Sequence, residues 1–159
     1  MLNWEKEKTT VIFPEDGFVD FYNGSMHQAG ACEVIAPLEQ IPVFIKPGAV
    51  IPYNYYADGV IPTWEKDNYT EAVLLTAPKY ERETSFYTDD ASITFTSVLT
   101  DEGFRVVSST KCNRRMIIVI GKAKINADAE ITERSYDRVS NRTTAVLSED
   151  WTILEVKKC

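Results

Sequence analysis

The sequence predicts an all-β protein that forms one or two antiparallel β-sandwiches with little helix. Short runs of β-branched and aromatic residues recur along most of the chain, and clear turn signals separate them. Hydrophobic residues make up 44% of the 159 residues and aromatic residues 11%, which is enough for an ordinary buried core. Many short strands at this spacing are typical of antiparallel sandwiches.

The predicted strands follow these runs in chain order. They are Thr9–Phe13, Phe18–Tyr22, Cys32–Ala36, Pro42–Ile45, Ala49–Pro52, Ala72–Thr76, Thr84–Thr88, Ser92–Val98, Phe104–Ser108, Met116–Gly121, Thr143–Leu147 and Thr152–Val156. Turn residues separate several of them, as in Pro14–Gly17, Lys46–Gly48 and Asp101–Gly103. Residues 127–142 fit neither the strand period nor the helix period well.

Composition changes near residue 78. All 7 prolines lie in residues 1–78, which carry four bases and eleven acids, whereas residues 79–159 carry thirteen of each. We therefore predict a proximal β-sandwich module over residues 1–78 and a distal one over residues 79–159, with the boundary placed to within about eight residues. A single sandwich with an uneven surface is the alternative.

Several classes of protein are disfavoured by composition. The net charge of −7 disfavours a nucleic-acid partner, because binding phosphates requires clustered cations. No run approaches the ~20 apolar residues of a membrane helix, and the polar start does not resemble a signal peptide. The three cysteines, Cys32, Cys112 and Cys159, fit neither a disulfide framework nor a zinc site, so we expect a cytoplasmic protein.

No catalytic residue, metal site or cofactor is predicted. His27 is the single histidine, so any triad would have to use it, and we expect it to be a solvated loop residue. Asp89 and Asp90 are adjacent and point in divergent directions, whereas glycoside hydrolysis needs two carboxyl groups facing each other. We expect these two aspartates to form a turn.

An aromatic stretch is the best binding candidate in the sequence. Rings with polar neighbours suit the apolar faces of sugars, which makes carbohydrate binding by exposed aromatic residues a candidate function. Packing at a domain interface explains the same residues equally well. The candidate residues are Tyr53, Tyr55, Tyr56 and Trp64.

The segment 41–52 is apolar almost without interruption, which predicts burial on both faces. Pro42 and Pro52 are expected at strand ends or at a sheet edge, because proline cannot donate to a ladder. Burial on both faces is easier where a larger partner covers one side. In the isolated chain, the uncovered face is expected to promote self-association. The predicted interface residues are Val43, Phe44, Ile45 and Val50.

Three motifs resemble glycoside hydrolase family 31, the α-glucosidase and α-xylosidase family. Residues Phe13–Gly24 resemble its "LPxGxWxDFWTG" stretch, and Ala36–Pro52 resemble "APLDKIPVFVRAGAIIP" almost position by position. Residues Ser85–Ala91 are similar to the later "FTLYEDDG" motif. The order and spacing agree over roughly residues 10–95. Phe18 replaces the usual Trp, and Thr88 and Ala91 replace the usual Glu and Gly.

The resemblance implies a proximal and then a distal C-terminal β-sandwich, appended to a catalytic (β/α)8 barrel. The family's catalytic aspartates lie on that barrel, and no part of this chain matches the motifs that carry them. The resemblance therefore implies a scaffold role, with the barrel of the same parent protein as partner and no catalytic residue here. A carbohydrate-binding module with oligosaccharide as its ligand is the alternative.

Overall fold

A computed structural model describes residues 8–37, 40–55, 69–87 and 91–159, and these residues form strands and turns. The predicted all-β class is confirmed. In the described part of the chain, no helix is long and apolar enough to span a membrane. The strands are β1 (Lys8–Phe13), β2 (Phe18–Asp20), β3 (Met26–His27), β4 (Gly30–Ile35), β5 (Phe44–Ile45), β6 (Val50–Tyr55), β7 (Thr70–Leu75), β8 (Arg82–Tyr87), β9 (Ser92–Thr100), β10 (Gly103–Cys112), β11 (Met116–Ile120), β12 (Ala123–Ala127), β13 (Ile131–Asp137), β14 (Arg142–Leu147) and β15 (Trp151–Lys158).

Two five-stranded sheets form the larger part of the molecule. We call them the outer sheet, with strand order β12-β15-β10-β9-β8, and the inner sheet, with order β13-β14-β11-β7-β6. Their facing side chains make one core, in which Trp151, Phe95 and Leu154 of the outer sheet meet Ile117 and Leu75 of the inner sheet. Burial alternates along β14, where Thr143, Ala145 and Leu147 are buried, so one of its faces lies in this sandwich.

Two smaller sheets accompany the sandwich. β3, β2 and β5 form a three-stranded sheet, and β1 and β4 form a two-stranded antiparallel ribbon. A second apolar cluster joins Ile45 of β5 to Ala72, Leu74 and Ile118, which lie on β7 and β11 of the inner sheet. The three-stranded sheet therefore covers part of the inner sheet's second face.

Each predicted strand overlaps an observed one, but three observed strands were not predicted. These are β3, β12 and β13, the last within the ambiguous residues 127–142. β6 is an edge strand and Pro52 lies within it, which confirms the expectation from proline chemistry. Among the pairs formed by the described strands, β7 with β11 is parallel and the others are antiparallel.

The inner sheet takes strands from both sides of residue 78. β6 and β7 precede that position, whereas β11, β13 and β14 follow it. The main core likewise contains Val50 and Val73 together with Phe95 and Trp151. The division into two modules near residue 78 stays a prediction.

The turn Pro14–Gly17 shows why glycine is needed where the sequence places it. The backbone N–H of Gly17 donates to the Pro14 carbonyl at 2.9 Å, and Gly17 has a φ of 67°. A Cβ atom at Gly17 would lie 2.3 Å from the carbonyl oxygen of His27. Both the left-handed backbone and the close approach of β3 therefore favour glycine.

Candidate functional site

An apolar groove of about 510 Å³ lies where the three-stranded sheet meets the inner sheet and β8. The loop between β5 and β6 also contributes, and this loop is the predicted Pro-Gly turn. Polar side chains of Lys46, Arg82, Glu83 and Thr84 complete the lining. The apolar part of the wall consists mainly of Phe18, Phe21, Val43, Phe44, Ile51 and Tyr53.

Three of the four predicted interface residues line this groove, and the fourth does not. Val43 is 39% exposed and Phe44 is half-buried, so both present apolar surface. Ile45 also lines the groove but is only 5% exposed. Val50 is 1% exposed and lies in the main core.

The burial of Val50 and Ile45 corrects the expectation that they form an exposed apolar face. Successive residues of a strand point to opposite faces, so Val50 enters the sandwich while Ile51 and Tyr53 face the groove. Ile45 is covered because it packs on Ala72 and Leu74 of the inner sheet. An unbroken apolar run in the sequence hides this alternation.

Only part of the predicted aromatic set can be placed. Tyr53 lines the groove, and its ring centroid lies 6.2 Å from that of Phe21. Tyr55 packs, as Tyr53 does, against the apolar cluster that contains Ile45 and Leu74. Tyr56 and Trp64 lie outside the described residues, as do Asp89 and Asp90. The structure therefore brings Tyr53 together with Val43 and Phe44, in one site rather than two.

His27 is not a solvated loop residue, contrary to the expectation from the sequence. It lies on β3, its ring stacks on Phe13 at 5.1 Å, and Phe44 meets it edge-on at 5.3 Å. Its Nε2 atom is buried and lies 3.9 Å from Oδ2 of Asp20. His27 thus packs within the aromatic cluster behind the groove wall.

Two arginines fix the groove walls to the sandwich. Arg142, at the start of β14, donates to the Phe21 carbonyl at 2.8 Å, and its guanidinium lies 4.3 Å from the centre of the Phe21 ring. Arg82 on β8 contacts Oδ2 of Asp16 at 3.3 Å. The Tyr80 hydroxyl donates to the same carboxylate, and this hydrogen bond, with some burial, raises the pKa of Tyr80. Neither arginine was a predicted site residue, since no local pattern links positions so far apart in the chain.

The groove chemistry suits packing rather than bond cleavage. Among the described residues that line it, Glu83 is the single carboxylate, whereas hydrolysis of a glycosidic bond uses two. Over the described ranges, no group of three His, Cys, Asp or Glu side chains could hold a metal ion. The apolar wall is typical of a surface that another protein segment covers.

Comparison with known proteins finds a family model that matches the first part of the chain. Residues 1–51 match the model of the glycosyl hydrolase family 31 C-terminal domain, and this stretch includes most of the groove wall. The solved structures that resemble the chain include the cycloalternan-forming enzyme from Listeria monocytogenes in complex with a pentasaccharide substrate. That structure has a TM-score of 0.70 and 20% identity over 100% of this chain.

A second similar structure is a family 31 dextranase from Flavobacterium johnsoniae complexed with glucose, with a TM-score of 0.64 and 20% identity over 99% of this chain. The chain spans 18% of the first of these proteins and 25% of the second. Identity at this level establishes a shared fold. The family match thus covers residues 1–51, and the fold shared with these two proteins extends along nearly the whole chain.

Proposed function

We propose that the chain is a non-catalytic supporting region of an α-glucosidase-like glycoside hydrolase. The observation that carries this proposal is the apolar groove, most of whose lining lies in the family-matched residues and in which Val43 is exposed and Phe44 half-buried. Its described lining has one carboxylate and a wall of aromatic and aliphatic side chains, so these residues offer packing surface and no acid–base pair. Its work is then to hold another domain in place.

The proposed occupant of the groove is the catalytic (β/α)8 barrel of the same parent protein. The similar solved proteins are four or more times longer than this chain, since the chain covers 18% to 25% of them. Burying the exposed apolar surface against the barrel stabilises the contact by about 25 cal/mol for each Å² removed from water. The polar rim residues Lys46 and Arg82 suit the border of such an interface.

The names of the dextranase and the cycloalternan-forming enzyme indicate different activities. We therefore propose the α-glucosidase-like activity of the parent protein as a separate and more specific claim. A cytoplasmic location belongs to the same proposal. It is supported by the three cysteines, all of which are free thiols.

The groove is tested by comparing two aspartate substitutions in the isolated chain. Val43→Asp puts a charge into the groove, whereas Val139→Asp puts one on an exposed valine that does not line it. We expect a dye that fluoresces on apolar surfaces to bind the wild type and the Val139→Asp variant alike, and to bind Val43→Asp more weakly. Equal dye binding by all three proteins would contradict an open apolar groove.

The role as part of a larger enzyme is tested in the genome. The proposal expects a coding sequence in which this region follows a catalytic barrel in the same reading frame. A stop codon separating the two in every genome that carries this sequence would contradict it.

Carbohydrate binding is a second candidate, favoured by the position of Tyr53 in the groove beside Phe21. Isothermal titration with maltose, isomaltose and soluble starch distinguishes the two roles. Saturable binding that is lost in Tyr53→Ala or Trp64→Ala would favour the binding module. No heat of binding with any of the three sugars is the result expected for a supporting region.

A further inference from the structure

The ribbon formed by β1 and β4 has too few strands for an independent sheet. Each strand pairs with the other through six residues, from Lys8 opposite Ile35 to Phe13 opposite Gly30. A two-stranded sheet is marginally stable in water, and three or more strands are usual. Among the described residues, β1 pairs with β4 alone, so one side of its backbone N–H and C=O groups is left for another strand.

β1 also lacks the features by which proteins protect edge strands. The other described edge strands of five residues or more each have such a feature. β6 contains Pro52, and β13 has a register irregularity after Ile131. Charged side chains lie within β4, β8 and β12. By contrast, residues 9–13 of β1 read Thr-Thr-Val-Ile-Phe. This stretch combines high β-propensity with no charge and no proline, which is the signature of a strand that accepts another.

The open side of β1 is accessible in the isolated chain. Ile12 is 80% exposed, and Thr9 and Thr10 are exposed as well. The one charge of the strand, Lys8, lies at its end and pairs with Glu33 of β4 at 3.0 Å. Phe13 at the other end is buried in the aromatic cluster, which holds the ribbon in place on the three-stranded sheet.

We propose that β1 is a self-pairing edge, through which a second copy of this chain adds its own β1 in antiparallel orientation. Two ribbons joined in this way make one four-stranded sheet in the order β4-β1-β1-β4, which is an ordinary size. With a twofold axis at Val11, Thr10 of one chain lies opposite Ile12 of the other, and no like charges meet between the two Lys8–Phe13 strands. The same pairing through β4 would bring the two Glu33 side chains near each other.

This inference concerns the chain by itself and does not rest on the proposed function. It also differs from self-association through the groove, because the groove is lined by β2, β5, β6, β7 and β8 and not by β1. The two modes involve separate residues, so one experiment distinguishes them.

The test is sedimentation velocity over a range of concentrations, with three variants of the full chain. Ile12→Lys places a charge on the proposed interface. Ile35→Lys is the matched control, because it places the same charge on the same face of the ribbon but on β4, where the residue is 54% exposed. Val43→Asp alters the groove instead. We expect reversible dimers of the wild type, with a dissociation constant raised about fivefold or more in Ile12→Lys alone. Circular dichroism confirms that each variant is folded.

Hydrogen exchange at low and high protein concentration gives a second readout that needs no substitution. We expect slower exchange for amides of Thr9–Phe13 at high concentration, with unchanged exchange in β4 and in the groove. A wild type that stays monomeric at millimolar concentration overturns the proposal. Dimers that Ile35→Lys or Val43→Asp disrupts while Ile12→Lys does not, or protection confined to the groove, also overturn it.

Discussion

At the scale of single residues, Trp151 links the two halves of the main core. Its side chain is fully buried, and its ring stacks near Phe95 with centroids 5.9 Å apart. Its Nε1–H donates to the carbonyl of Arg114 at 2.9 Å, which satisfies the one polar atom of the ring. A tryptophan in this position contributes both apolar area and a required hydrogen bond.

Trp151→Ala is expected to lower the free energy of unfolding by about 3–5 kcal/mol, because it leaves a large cavity in the core. Trp151→Phe should cost less, about 1–3 kcal/mol, since it keeps most of the volume but leaves the Arg114 carbonyl unpaired. Urea denaturation measures both. Tyr87→Ala, at an exposed ring, is the control and should change the value by less than about 0.5 kcal/mol. A Trp151→Ala variant as stable as that control would contradict the packing described.

Asp128 is a surface carboxylate held by hydrogen bonds from the start of β15. Burial acts to raise the pKa of Asp128, and the Thr152 hydroxyl with the backbone N–H groups of Ile153 and Thr152 outweighs it, so the pKa is lowered. The two N–H donors lie 3.0 and 3.1 Å from Oδ1. The ionised carboxylate therefore ties the residues after β12 to β15.

This lowered pKa predicts acid sensitivity. A carboxyl group whose pKa is lower in the folded than in the unfolded state stabilises the fold above its unfolded pKa of about 4. That contribution is lost as the pH falls through the folded pKa. Urea denaturation at several pH values measures this effect. Between about pH 5 and about pH 2, the free energy of unfolding should fall less in Asp128→Asn than in the wild type. Identical pH profiles for the two proteins would contradict it.

At the scale of elements, Arg142 connects the three-stranded sheet to the sandwich. The guanidinium hydrogen bond to Phe21 and its position over the same ring join the end of β2 to the start of β14. Nearby, the side chain of Asn141 donates to the carbonyl of Asn23 at 3.4 Å. The contacts lie at one side of the groove and fix the position of its Phe21 wall.

Arg142→Met removes the charge-assisted hydrogen bond and keeps the aliphatic stem. We expect faster hydrogen exchange in residues 18–27, with a loss of about 1–3 kcal/mol in their local stability, and unchanged protection in β10 and β15. Arg138→Met, at an exposed arginine in the same hairpin, is the matched control. An equal loss of protection in residues 18–27 and in β10 and β15 would contradict this expectation, because it would show that the three-stranded sheet and the sandwich open together.

Whether a strand could be predicted from the sequence depended on the residue types within that strand. Strands such as β7 and β11 are rich in β-branched and leucine residues, so their runs identify them. β12 reads Ala-Lys-Ile-Asn-Ala, with few strand-favouring residues, and β13 is exposed along nearly its whole length, so neither shows a clear period. β3 has two residues and gives no period at all.

At the scale of the whole molecule, the pairing of strands depends on contacts that no local pattern encodes. The parallel pair of β7 and β11 joins segments more than 40 residues apart, with Ala72 opposite Met116. The sequence therefore predicted a sandwich but not its strand order. The groove was predictable to the extent that segment 41–52 is continuously apolar, and Val43 and Phe44 do reach it. Val50 was misassigned because strand alternation decides which side it faces.

If the chain has the proposed supporting role, the isolated chain should bind the catalytic barrel and should hydrolyse no glycosidic bond. The decisive measurement is glucose release from maltose, isomaltose and a chromogenic α-glucoside by the purified 159-residue chain. We expect no release above buffer at any protein concentration. Saturable release that follows this protein through purification would contradict the supporting role directly.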